Sequence, residues 1–137
     1  MSITRAELDE YQSLISERDE LKERLARKRA QLYTIKTQNF SAVPSGHGDV
    51  DRIGAAVAQL EELEIIYCEK IIECERRLKR IECELDRLES IERRLMRYRY
   101  IDGMWWKQIC IRMNYEWAQI HRIHKQILAK LANDDTP

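Results

Sequence analysis

From Thr4 to about Thr37 the chain contains no Gly or Pro. Apolar side chains recur there at heptad spacing, at Tyr11, Leu14, Leu21, Leu25, Leu32 and Ile35, with Arg18 and Lys28 interrupting the seam. This spacing predicts an amphipathic helix of roughly 33 residues, about 50 Å long at 1.5 Å per residue. Thr4 followed by Glu7 has the form of a capping box, in which each side chain satisfies an orphan amide at the helix start. Stepping from Val57 by alternate threes and fours gives Val57, Leu60, Glu64, Tyr67, Ile71, Cys74, Leu78, Ile81, Leu85 and Leu88. Nine of these ten are apolar in a chain that is 44% apolar. A seam this regular predicts a second long helix and a coiled coil rather than a globular core helix. Residues 39–49 hold half of the six Gly and Pro residues in the chain, so they read as a connection. Residues 1–89 are therefore expected to form an antiparallel helical hairpin, with helices at about 4–37 and 50–89 and a loop at 38–49. Pairing between chains would cover the same stripes.

The period shortens after residue 89. Ser90 to Ile101 predicts a helix with Ile91, Leu95, Tyr98 and Ile101 on its inner stripe, stopped by Asp102-Gly103. Trp105 to Met113 predicts a short helix with Trp106, Ile109 and Met113 inward and Cys110 at a close helix crossing. Asn114-Tyr115 reads as a turn. Glu116 to Leu131 predicts a third helix with Ile120, Ile123, Ile127, Leu128 and Leu131 inward. The expected fold is all-α: the long hairpin, then a three-helix domain over 90–137 with a short acidic tail. A short helix, a tight turn and a longer helix with a polar outer face make a helix-turn-helix. Trp105 and Glu116 stand where such helices favour Ser or Thr, which weakens their caps.

Charge changes the picture more than composition does. The 137 residues carry 24 Lys+Arg and 24 Asp+Glu, yet the distribution is uneven. Residues 93–131 hold nine basic side chains against Asp102 and Glu116, a net of +7, whereas residues 1–92 carry a net of −5. A basic module on an acidic stalk is the electrostatic footprint of a phosphate-binding surface. Six Gly and Pro residues are too few for a sandwich, barrel or propeller. No apolar run is long enough to span a membrane, and the first residues lack a secretion or transit signal. Cys68, Cys74, Cys83 and Cys110 contain no Cys-x-x-Cys pair and read as small packing residues in a reducing cytoplasm.

The run from Leu95 to Leu131 resembles region 4 of bacterial sigma factors, and more closely the small phage and prophage regulators of the RinA/ArpU type. The matching features are the Arg-Tyr-x-x-Gly opening, Ile109 and Met113 in the second helix, and Ile-His-Arg-Ile-His at 120–124 followed by Leu128 and Leu131. The Val43-Pro-Ser-Gly loop, Asp51 and the long helix after it also resemble the upstream part of those regulators. The resemblance covers about residues 40–131. It implies a transcription regulator in a bacterial host cytoplasm that binds promoter or operator double-stranded DNA.

In the docking mode of a helix-turn-helix, the start of the third helix enters the major groove. Trp117, Ala118, Gln119, His121 and Arg122 are the expected base-contacting residues. Arg122 has the bidentate geometry for guanine and Gln119 that for adenine. Arg97, Arg99, Lys107, Gln108 and Lys125 are the expected phosphate contacts. The hairpin is expected to contact RNA polymerase or a second copy of the chain as a homodimer. Trp105, Ile111 and Trp117 form a candidate apolar docking patch beside the basic face.

Gly46-His47-Gly48 follows no strand and lacks a P-loop lysine, which argues against a nucleotide site. His121 and His124 lie three apart, but no third ligand is near in sequence. No catalytic constellation, cofactor or small-molecule site is expected, nor is the protein expected to be an enzyme. Two other readings fit the same residues: a small terminase-like DNA-packaging protein, and a coiled-coil interaction protein without DNA binding.

Overall fold

The two heptad stripes become two long helices in the computed structural model of the protein, α1 over Arg5–Ser41 and α2 over His47–Leu85. The structure describes residues 2–41 and 47–133. The middle of the expected loop (42–46) and the acidic tail beyond 133 lie outside the described residues. Both helices continue into the expected loop because Gln38-Asn39-Phe40-Ser41 contains no breaker and the first proline is Pro44. Three shorter helices follow: α3 over Ser90–Met96, α4 over Trp106–Met113 and α5 over Trp117–Ala132. A π-helical turn, Arg97–Ile101, extends α3. The chain is all-helical, with no strand among the described residues.

The chain divides into two compact units. One joins Met1–Ile15 to Cys74–Pro137, and the other is Ser16–Glu73. In the second unit α1 and α2 pair antiparallel. Arg29 meets Glu64 at 3.2 Å and Lys70 meets Glu17 at 2.9 Å, so partners advance along one helix as they retreat along the other. Leu25 is the only buried side chain among the described residues of this unit. The other seam positions, such as Leu21, Leu32, Val57, Leu60, Tyr67 and Ile71, are half-buried. Glu64, the polar position in the α2 seam, is half-buried and paired with Arg29.

The first unit holds the main core. Leu95, Ile109, Ile120, Ile127 and Leu131 are fully buried there together with Leu8 from the first turn of α1 and Leu85 from the last turn of α2. Ile3, Tyr11, Ile81 and Leu88 join the same cluster. The expected capping box is present: the Thr4 amide donates to Glu7 Oε2 at 2.8 Å, and the Glu7 amide donates to Thr4 Oγ1 at 3.3 Å. The Thr4 amide, together with Arg80 at 2.6 Å, holds the Glu7 carboxyl below its ordinary pKa. Arg77 pairs with Glu10 at 2.9 Å, and the buried Cys74 thiol donates to the Leu14 carbonyl at 3.8 Å. Cys68 and Cys83 are exposed, so the packing role expected of all four cysteines does not extend to these two.

Two expectations about the elements need correction. The second helix ends at Leu85 rather than near 89, because Arg87 and Leu88 switch to tighter i→i−3 bonds and Glu89 turns extended to cap α3. The helix expected over Ser90–Ile101 is not uniform. Its last five residues form a π turn, closed by the Asp102 amide on the Arg97 carbonyl at 2.8 Å. The extra residue per turn rotates the side chains beyond Met96. Tyr100 is consequently buried while Tyr98 and Ile101 are half-buried; upstream, the inward face of α3 runs through Glu92, Leu95 and Met96 and leaves Ile91 exposed.

Gly103 ends this segment at φ +69°, and the Met104 amide reaches back to the Tyr98 carbonyl at 2.9 Å. This is a Schellman-like stop, one residue wider than usual because of the π turn. The Gln12 side-chain amide donates to the Tyr100 carbonyl, and a Cβ at position 103 would lie 3.2 Å from Gln12 Oε1. Both conformation and space therefore favour Gly there.

Candidate nucleic-acid interface

α4 and α5 are joined by Asn114, Tyr115 and Glu116. Asn114 adopts the left-handed conformation (φ 58°, ψ 46°) that Asn tolerates better than most residues. The Tyr115 amide returns to the Cys110 carbonyl at 3.1 Å. Neither Trp105 nor Glu116 makes a side-chain cap, although Gln108 Oε1 accepts the Trp105 amide at 3.0 Å. Ile109 on α4 and Ile120, Ile127 and Leu131 on α5 turn fully inward, while Ile123 and Leu128 are half-buried. This packing fixes which residues of the two helices face out.

On α5 the outward positions include Trp117, Ala118, Gln119, Arg122 and Lys125, all exposed. On α4 they are Lys107, Gln108, Ile111 and Arg112. His121, expected among the base-contacting set, is placed differently. Its ring lies 4.7 Å from that of Trp106 and 4.4 Å from that of Trp117. Its Nε2 is buried without a hydrogen-bond partner. The imidazole is half-buried between two indoles, whereas Gln119 and Arg122 stand free of it.

The cations sort in the same way. Arg97 pairs with Glu82 at 3.7 Å. Arg99 donates to the Met104 carbonyl at 3.1 Å and lies 4.8 Å from the centre of the Trp106 ring. These two expected phosphate contacts are thus engaged within the protein. Arg93 meets Asp86 at 4.0 Å, Arg112 lies over the Tyr98 ring at 5.4 Å, and Lys130 pairs with Glu92 at 2.8 Å. The bond to the Glu92 carboxylate raises the Lys130 pKa. Among the described residues four of the nine basic side chains remain exposed with no partner: Arg94, Lys107, Arg122 and Lys125. Arg94 is the one that the sequence reading did not single out. It lies in the last turn of α3, where position in the sequence could not separate it from Arg93 and Arg97.

Behind the outward face is a buried polar group that sequence spacing could not reveal. Tyr100 Oη and His124 Nε2 are hydrogen-bonded at 2.6 Å, and the Trp106 ring sits edge-on to His124 with centroids 4.6 Å apart. Burial pushes His124 down to about 4, helped by the positive charges of Arg5 and Arg99 and by His121, while Asp9 opposes them. Burial also pushes the Tyr100 phenol up. His124 is therefore a neutral packing residue near neutral pH. Among the described residues no three His, Cys, Asp or Glu side chains gather to hold a metal ion, and no helix is long and apolar enough to cross a membrane. The three residues of the candidate apolar patch, Trp105, Ile111 and Trp117, are all exposed.

Comparison with protein-family models, curated proteins and solved structures finds no match.

Proposed function

We propose that the protein binds double-stranded DNA through α4 and α5 acting as a helix-turn-helix, and that it serves as a transcription regulator of the phage and prophage type. One observation carries this reading. Five of the nine cations between Arg93 and Leu131 are engaged by carboxylates, a carbonyl or aromatic rings, while Lys107, Arg122 and Lys125 on the outward faces of α4 and α5 have no partner among the described residues. Exposed unpartnered cations beside an exposed Gln119 are what a groove-reading helix needs. Arg122 and Gln119 take the base-reading roles, with Trp117 and Ala118 beside them at the start of α5. Lys107, Lys125 and Gln108 hold the phosphates. His121 supports Trp117 from behind. The hairpin of α1 and α2 supplies contacts to RNA polymerase or to a second copy.

The test is selection of bound duplexes from a random pool by the full chain, followed by binding to the recovered site. The proposal expects a consensus, and loss of sequence preference when Arg122 is replaced by Ala. Recovery of no enriched sequence, together with no retention of duplex at low salt, would rule the reading out.

A further inference from the structure

Side chains at the start of α4 and α5 form an unbroken chain of contacts that runs from the interior to the surface. Arg99 donates to the Met104 carbonyl at 3.1 Å, and its guanidinium lies 4.8 Å from the centre of the Trp106 ring. Ring centres are 4.7 Å apart between Trp106 and His121, and 4.4 Å apart between His121 and Trp117. The Trp106 ring also sits edge-on to the buried His124. Trp117 ends the chain and is 57% exposed. Its indole is thus supported from behind by rings that are fixed to the core, and its outer side is open to water.

This support has a cost. His121 Nε2 is buried without a hydrogen-bond partner, the single such side-chain atom among the described residues. A buried polar atom left unpaired is uncommon enough to mark an arrangement kept for function.

The neighbours of Trp117 indicate what fits against it. Trp117, His121 and Lys125 follow one another at intervals of four residues and so lie along one flank of α5, with Ala118 and Arg122 in the adjacent row. Lys125 and Arg122 are exposed and have no partner among the described residues. An aromatic ring beside free cations is the combination that holds a nucleobase on the ring and its phosphates on the charges. A flat ring gains most contact from another flat ring, and in DNA that ring is a base released from its stack.

We infer that Trp117 is a stacking platform for one unstacked nucleobase of the bound DNA, so that the protein favours a site with an unpaired base over a fully paired one. The inference rests on the reading of α4 and α5 as a DNA-binding helix-turn-helix. A paired base must break its pairing and stacking to reach the indole, whereas a base without a pairing partner leaves the helix more readily. The protein therefore reads distortion of the duplex as well as its sequence.

The test is the affinity of the full chain for the duplex recovered by selection, in a series where a single mismatch is moved along the site. At one position, or at two adjacent ones, binding should be on the order of tenfold tighter than to the paired site. 2-Aminopurine placed there as the unpaired base should be quenched when the wild type binds, because it stacks on the indole. Trp117→Ala should abolish both the gain and the quenching. Trp117→Phe, which keeps a flat ring, should retain most of both. The ratio of mismatched to paired affinity is compared within each variant, so a general loss of binding cancels, and far-UV circular dichroism checks that each variant is helical. A series with no tighter-binding position, a gain that survives Trp117→Ala, or unquenched 2-aminopurine in the wild type would each overturn the inference. Salt-dependent binding of the paired duplex would then still stand, and with it the helix-turn-helix reading. Failure to retain any duplex would remove both.

Discussion

The two compact units follow the same helical rules with very different results. In the first, helices from both ends of the sequence converge, and nine side chains, including Leu8, Leu85, Leu95 and Ile120, lose nearly all contact with water. In the second, two helices paired along heptad seams bury a single side chain, Leu25, among the described residues, and that one not completely. The difference lies in how many elements meet. Each element added to a cluster covers another face of its neighbours, and apolar burial stabilises by about 25 cal/mol per Å². A helix pair alone leaves most of that surface wet. The contrast shows where rigidity resides: the outward face of α4 and α5 stands on a packed core, and the hairpin is the part suited to bind a partner.

The largest effect that could break this comparison is a core truncation. Ile120→Ala should cost about 2–5 kcal/mol in denaturant unfolding, since the cavity lies among Leu95, Ile109 and Ile127. Leu32→Ala in the hairpin should cost far less in the monomer, because Leu32 is already half wet. Equal losses would remove the distinction.

Acid gives the next largest effect. The folded-state pKa of His124, about 4, lies below its ordinary 6.5. The unfolded chain therefore binds the proton more readily, and the associated stability is present above pH 6.5. It declines as pH falls from 6.5 through 4, by on the order of 2–3 kcal/mol. Unfolding curves at pH 7 and pH 4.5 should show this loss in the wild type and much less of it in His124→Phe. An identical pH dependence in the variant would place the acid sensitivity elsewhere.

Arg122→Ala should weaken binding to the preferred duplex by about 1–3 kcal/mol and relax its sequence preference, whereas Lys125→Ala should weaken all duplexes alike. Binding curves on specific and scrambled sites separate the two. The smallest effect is expected at the surface of the hairpin. Arg29→Ala removes the exposed partner of the half-buried Glu64 and should change stability by under about 1 kcal/mol.

Much of the fold was legible in the sequence because it is local. The α2 seam from Val57 to Leu88 has no exposed member, and the inward set of α5 was read correctly from its period alone. Periodicity failed where the period itself changes. The π turn at Arg97–Ile101 has no sequence signature, and it puts Tyr100 in the core in place of Tyr98 and Ile101; in α3 the inward face runs through Glu92, Leu95 and Met96 rather than Ile91. The place of Ile3, Leu8 and Tyr11 beside Ile109 and Ile120 was not legible either. A heptad stripe says that a face is covered without naming what covers it. For the candidate interface, the basic character of the segment could be read in advance, but the number of free charges could not. Arg97 and Arg99 look like Lys107 and Arg122 in the sequence, and only the fold brings Glu82 to the first and the Trp106 ring to the second.

The central claim is that the free cations of α4 and α5 meet DNA phosphates and base edges. Its most direct test is the affinity of the full chain for duplex DNA as a function of salt, for the wild type and for the triple variant Lys107→Ala, Arg122→Ala and Lys125→Ala. The account predicts a linear fall of log affinity with log salt in the wild type, with a slope shallower by about two to three in the variant. An affinity that ignores salt, or a slope unchanged in the variant, would contradict it.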